Sequence, residues 1–261
     1  MSGTVQGGYR VIRAGELITL IEARKAKQIS FTALRTYLGC HLLAASRQAA
    51  AACSKAPKKP HFTTKELRQR LGGDVSEEGV NKALKQLEER GLLTFKEEEI
   101  TFLAADRPHW SAKAELNTDP ARPVPVPRYL LRAIIRHKKP AEVLAVLAHL
   151  IRCLWKKGRE IVSRGLVKAS WVARLCGISE RAVHAARRWM LERKFLQCIE
   201  VAQHVLNRWG GCFVFSLQQE GGAAKRRVLH NSKRSRAAAG KQTGEFAPPY
   251  KQVHSIRSTS T

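Results

Sequence analysis

The side chains of this sequence best suited to chemistry with a polyanion lie between residues 180 and 194. At 100° per residue, Val183, Ala186 and Met190 share one side of a helix, Arg181 and Arg188 point nearly opposite, and His184 sits on the flank. Arginine can pair bidentately with guanine N7 and O6, and histidine can donate to a base or a phosphate. Arg187, Arg193 and Lys194 crowd the same segment with few acids to offset them. Arg187 falls on the core side, from which its long stem is expected to snorkel toward phosphate. An earlier segment offers Asn81, Lys82 and Lys85, where asparagine could read adenine, but Glu78 and Glu89 share that face. Lys168 and Ser170, at a helix start, suit backbone phosphate, Arg208 suits a groove from a turn, and Lys225, Arg226 and Arg227 form a basic run.

No residues of this kind assemble into a recognisable enzyme. There is no G-x-x-x-x-G-K-[ST] phosphate loop, no His-x-His pair and no carboxylate cluster for magnesium. The six cysteines, Cys40, Cys53, Cys153, Cys176, Cys198 and Cys212, form no C-x-x-C pair, so they read as buried thiols and not as zinc ligands or disulfides. His184-x-x-Arg187, Trp209 and Tyr250 are loosely similar to the residue order of tyrosine recombinases. Tyr250 lies too far beyond Trp209 for that pattern, and no first arginine box precedes them. The expectation is a protein with no catalytic residues, metal or cofactor.

The elements that must position these side chains follow from how the charge is divided. The chain of 261 residues has a formal net charge of +26, a field that attracts a polyanionic partner. Residues 14–105 hold 15 basic and 11 acidic side chains, residues 106–127 three of each, residues 128–217 18 against five, and residues 218–261 nine against two. The balanced stretch carries Pro108, Pro120, Pro123, Pro125 and Pro127 and reads as a stiff linker between two domains, 14–105 and 128–217. Residues 218–261 read as a disordered basic tail. No apolar run is long enough to span a bilayer, and the N-terminus lacks the pattern of a secretory signal, so a cytoplasmic, nucleoid-associated protein without membrane contact is expected.

The two domains contain one repeated unit. Shifted by 103 residues, Ser76–Leu93 and Ser179–Leu196 agree at seven of 18 positions, and a glycine turn precedes both. In the first copy Thr63-x-x-Glu66 is a capping box, Gly72-Gly73 a turn, Ser76 a second cap, and Val80, Ala83, Leu84 and Leu87 a buried face. Leu92–Phe95 and Ile100–Leu103 alternate like a hairpin around Lys96–Glu99, whose acids would repel phosphate. In the second copy Ser170–Leu175 and Glu180–Arg193 are the helices. Phe195–Val201 and Cys212–Leu217 are the strands, joined through Asn207–Gly211. Longer helices, Phe31 to about Cys53 and Tyr129 to about Lys157, the latter interrupted near Pro140, precede the two copies.

Helix, turn, helix, hairpin resembles the winged helix-turn-helix family, through the L-x-x-R-L-G…V-S-x-x-x-V-x-x-A-L-x-x-L-E-x-x-G-L-L run from Leu67 to Leu93 and its more diverged partner. The resemblance implies a mainly α fold with small β-hairpins, two winged-helix domains, and a second helix of each pair in the major groove of double-stranded DNA. The more basic second copy is then the principal reader. The first is expected to read poorly or to pack on protein, a second copy of the chain or another partner. A sequence-specific transcriptional regulator fits best. A replication initiator of a plasmid or other mobile element is the alternative, and a nucleic-acid-binding adaptor without sequence preference is the alternative of another class.

Overall fold

At the start of the first copy, the Glu66 amide donates to the Thr63 hydroxyl at 3.1 Å and the Thr63 amide donates to the Glu66 carboxylate at 3.5 Å, closing the capping box. The computed structural model describes residues 8–51, 63–96, 99–102 and 119–217. In chain order these form β1 (Tyr9–Arg13), α1 (Ala14–Lys25), α2 (Phe31–Ala51), α3 (Thr64–Leu71), α4 (Glu77–Glu89), β2 (Leu93–Lys96) and β3 (Glu99–Phe102). They continue through β4 (Pro123–Pro127), α5 (Arg128–Arg136), α6 (Pro140–Cys153), β5 (Trp155–Lys157), β6 (Glu160–Val162) and β7 (Arg164–Val167). The last elements are α7 (Ala169–Cys176), α8 (Glu180–Glu192), β8 (Leu196–Ile199), α9 (Gln203–Trp209) and β9 (Gly211–Phe215). The fold is mixed α+β, helices with small antiparallel strand pairs.

The repeat is a repeat of structure. α4 and α8 start and end 103 positions apart, as do β2 and β8. Ser76 accepts from the Gly79 amide at 3.0 Å and Ser179 from the Ala182 amide at 3.3 Å, so the same hydroxyl opens both helices. Both stop alike: Leu92 N donates to Leu87 O, and Phe195 N to Met190 O. The left-handed residue between them is Gly91 in the first copy, φ 64°, and Lys194 in the second, φ 55°. The turn before each of these helices is left-handed at Gly72 and at Gly177. Leu93 pairs with Phe102 in β2–β3, and Leu196 with Phe215 in β8–β9. The second copy adds β7, giving a three-stranded sheet in the order β7-β9-β8.

Three expectations are corrected. The proline-rich segment is not a spacer at its end: Pro123–Pro127 is β4, antiparallel to β1, with Val124 and Val126 fully buried. The even-numbered positions carry the hydrogen bonds, Arg128 N to Gly8 O and Ala14 N to Arg122 O continuing the ladder at its two ends. The prolines therefore occupy the positions whose missing amides point away from β1. Second, the helical region breaks before Pro140 as expected, with Pro140 the first residue of α6, but it ends at Cys153 and not near Lys157: Trp155–Lys157 is β5, and Gly158 at φ 60° turns the β5–β6 hairpin. Third, the connection after β8 is the helix α9, so Asn207, Arg208 and Trp209 are helical and not a wing turn.

One contiguous core joins the copies, because each borrows a helix. α1 packs on α6 and α7 of the second copy, while α5 packs on α2 and α3 of the first. Arg35, 5% exposed on α2, ties this seam together. Its guanidinium donates to Leu71 O at 2.7 Å and Ile135 O at 2.5 Å, carbonyls near the ends of α3 and α5, and to both carboxylate oxygens of Asp74 at 3.1 and 3.2 Å. A cation at two negative helix ends is favourable, and its hydrogen bonds hold the Asp74 carboxyl below the usual range. Lys25 of α1 donates to Arg174 O of α7 at 3.0 Å. Cys40, Cys153, Cys176 and Cys212 are buried free thiols, and burial pushes Cys40 and Cys176 up to about 12; Cys198 is exposed, so it departs from the buried reading, and Cys53 lies outside the described residues.

Candidate nucleic-acid interface

The helix α8 owes its orientation to three residues with no measurable exposure, Val183, Ala186 and Met190, which face α6 and α7. Arg181, His184 and Arg188 are thereby exposed on the other side, with half-buried Ala185 between them. None of the three makes a hydrogen bond or ion pair to the described residues. Their donors are free, and a bare alanine between them leaves room for a close surface.

Arg187 behaves differently from its expectation. Its Nε donates to His149 Nε2 at 3.0 Å and an Nη to Val167 O at 2.9 Å, and its guanidinium lies 4.7 Å from the centre of the Phe213 ring. Nδ1 of the fully buried His149 faces Ala145 O at 2.7 Å, so His149 carries its proton on Nδ1 and accepts at Nε2. Burial, then the Arg187 charge, pushes the His149 ring down to about 3. Arg187 is thus a tie between α8, α6 and β7 and not a phosphate contact. The neutral histidine and the carbonyl hold the guanidinium against the core through two of its five N–H donors.

The other sequence-derived candidates are dispersed. Lys168 is the residue before α7, exposed, with Nζ donating to Asn207 O of α9 at 3.2 Å, and Ser170 is exposed in the first turn of α7. Arg208 is exposed on α9, its guanidinium 5.0 Å from the Trp209 ring centre, and Trp209 is itself 52% exposed. On α4, Asn81, Lys82 and Lys85 are exposed beside exposed Glu78 and Glu89. Lys225, Arg226 and Arg227 and the side chains of Glu97–Glu99 lie outside the described residues.

A second basic group was not singled out from the sequence. Arg132 and Arg136 of α5 are exposed one turn apart, and with Arg193 they line a shallow cavity of about 320 Å³ whose apolar wall is Trp189 and Phe195. Burial lowers Arg132, and the charges of Arg128, Arg70 and Arg136 lower it further, so cation crowds cation. The i, i+4, i+8 spacing of Arg128, Arg132 and Arg136 was the available signal.

Among the described residues, no group of three or more His, Cys, Asp or Glu could hold a metal ion, and no helix is long and apolar enough to cross a membrane. No protein-family model and no curated protein matches the chain.

Proposed function

We propose that this chain is a double-stranded DNA-binding protein built on two winged helix-turn-helix units, and that it reads sequence with α8 in the major groove. The observation that carries this reading is the unpaired, solvent-facing set Arg181, His184 and Arg188 on a helix whose opposite face is fully buried. The helix pair α7–α8 set against the three-stranded sheet β7-β9-β8, whose strands β8 and β9 are joined through the short helix α9, also supports it. Arg181 and Arg188 contact base edges, with guanine as the preferred partner, and His184 contacts a base or phosphate. The mixed charge around Asn81, Lys82 and Lys85 makes α4 the weaker reader. Transcriptional regulation is the process this chemistry serves most directly.

Selection from random duplex DNA at physiological salt tests the reading, followed by the same selection with Arg181→Ala plus Arg188→Ala. An enriched motif is expected for the unmodified protein, with each lost bidentate pair removing about 1–3 kcal/mol of base discrimination. A double variant with unchanged base preference overturns the assignment of α8. A motif present as an array of direct repeats points to replication initiation, and a lone operator to regulation.

A further inference from the structure

We propose that the arginine group on α5 is a phosphate track, over which the backbone of one DNA strand passes between the two helix-turn-helix units. The inference rests on the duplex-binding reading above, and adds to it a contact surface outside both recognition helices.

The track is assembled from both copies. Arg132 and Arg136 stand on α5, one turn and about 6 Å of helix axis apart. Arg70 comes from α3 of the first copy and Arg193 from the end of α8 in the second. All four are exposed. Among the described residues none of the four has a hydrogen bond or ion pair, and only Arg193 has a ring contact, 5.3 Å from the Trp189 ring centre.

Two carboxylates close to the group are already committed. Asp74, which lines the next cavity with Arg136 and Lys138, is bound by Arg35. Glu142 is held by His137 at 2.8 Å and Lys139 at 2.9 Å. Like charges one turn apart destabilise a helix, so the group carries an electrostatic cost that a bound anion would relieve. The rigid parts of the site are apolar or already paired. His137 lies tilted against Trp189 with ring centres 4.5 Å apart, and Phe195 meets Trp189 edge-on at 5.5 Å. What is left over is guanidinium.

The arrangement suits a chain of phosphates better than one. The guanidiniums come from three helices: Arg132, Arg136 and Arg193 line one open cavity, and Arg70 lies close enough for its charge to act on Arg132. Arg132 and Arg136 alone span about 6 Å of helix axis, over which a DNA strand places about two phosphates at about 3.4 Å each, while Arg128 one turn earlier is half-buried with its guanidinium on the Ser46 hydroxyl. α5 packs directly on α3 of the first helix-turn-helix, and its arginines share a cavity with Arg193 at the end of α8. A strand leaving the groove read by α8 therefore meets cations on the way to the first copy.

The test uses the full chain and the duplex that the unmodified protein selects. Arg132→Gln with Arg136→Gln is titrated against that duplex from 50 to 200 mM salt, beside Arg132→Lys with Arg136→Lys. Losing two phosphate contacts lowers the log–log salt slope by about 1.8, so affinity falls about 12-fold less over that range than for the unmodified protein. The base preference is unchanged. The lysine pair keeps the original slope, which separates charge from structure. Ethylation of phosphates between the two protected groove segments interferes with binding of the unmodified protein. A glutamine pair with the original slope, or silent phosphates in that interval, overturns the track while leaving the α8 reading intact. An unmodified protein with no affinity for duplex DNA overturns both.

Discussion

Replacing Arg187 tests whether the arginine that faces inward from α8 is structural. In Arg187→Ala, His149 Nε2 loses a donor at 3.0 Å, Val167 O one at 2.9 Å, and the Phe213 ring its cation at 4.7 Å. Each orphaned buried acceptor costs about 1–3 kcal/mol and the ring contact about 0.5–1. Arg187 is only half-buried, so water reaches part of the vacated space and the expected loss is about 2–4 kcal/mol. Arg187→Leu installs the residue type of Leu84, the same slot in the first copy, yet still orphans the histidine. Arg187→Leu with His149→Leu removes the arginine donor and its histidine acceptor together and leaves only the loss at Val167 O, so it is expected to cost less than the sum of the two single variants. Urea unfolding at pH 7 of the two single variants and the double variant gives a coupling energy of at least about 1.5 kcal/mol. Additivity within about 0.5 kcal/mol would refute the reasoning. The pair also sets a pH dependence. His149 stays neutral in the native protein down to about 3, whereas an unfolded histidine protonates near pH 6.5. Below about pH 6.5 the unfolded state binds the additional proton, so stability falls as pH falls, by up to about 1.4 kcal/mol per unit, and at pH 8 the effect is absent. His149→Leu removes that part of the slope, and the remainder has a contribution of the same sign from buried His41, whose ring is also held well below its ordinary value by burial.

Gly210→Ala is expected to cost at least about 3 kcal/mol, because its backbone at φ 86° and ψ −173° suits glycine alone and a Cβ there would sit 2.5 Å from Lys168 backbone atoms and Val167 O. A thermal midpoint within about 2 °C of the unmodified protein contradicts this. Lys194→Gly relieves a left-handed lysine at φ 55° and is expected to stabilise by up to about 1 kcal/mol, while Gly91→Lys in the matching position, where a Cβ meets open space, loses a similar amount by chemical denaturation.

Local chemistry made the repeated unit legible from sequence. Ser76 and Ser179 are capping hydroxyls three residues before the amides they bind, Gly72 and Gly177 are needed for left-handed turns, and Val183, Ala186 and Met190 mark a buried stripe at helical period. Each signal spans a few residues. What stayed hidden depends on partners far along the chain. β1 and β4 pair across more than 100 residues, and the prolines of β4 masked a strand until the alternation Pro-Val-Pro-Val-Pro is matched to a ladder with hydrogen bonds at every second residue. Arg187 read as a snorkelling phosphate ligand because its histidine partner lies 38 residues away on α6. Arg35 gave no local sign of closing the turn of one unit onto the end of α5. Exposure of Arg181, His184 and Arg188 followed directly from the stripe opposite them. The arginine row on α5 was visible as spacing, but its meeting with Arg70 and Arg193 required the tertiary fold.

The exchange of α1 and α5 between the copies dictates when this protein can fold as it leaves the ribosome. A nascent chain ending at residue 105 contains α3, α4 and the β2–β3 pair but lacks α5, the helix on which α2 and α3 rest. α1, made almost first, waits for α6 and α7 before its buried face is covered. Neither half can close on its own during synthesis, so folding proceeds late and through contacts of long sequence separation, the slow regime for a chain of this size. The same interlock means that α4 and α8 reach the folded state together.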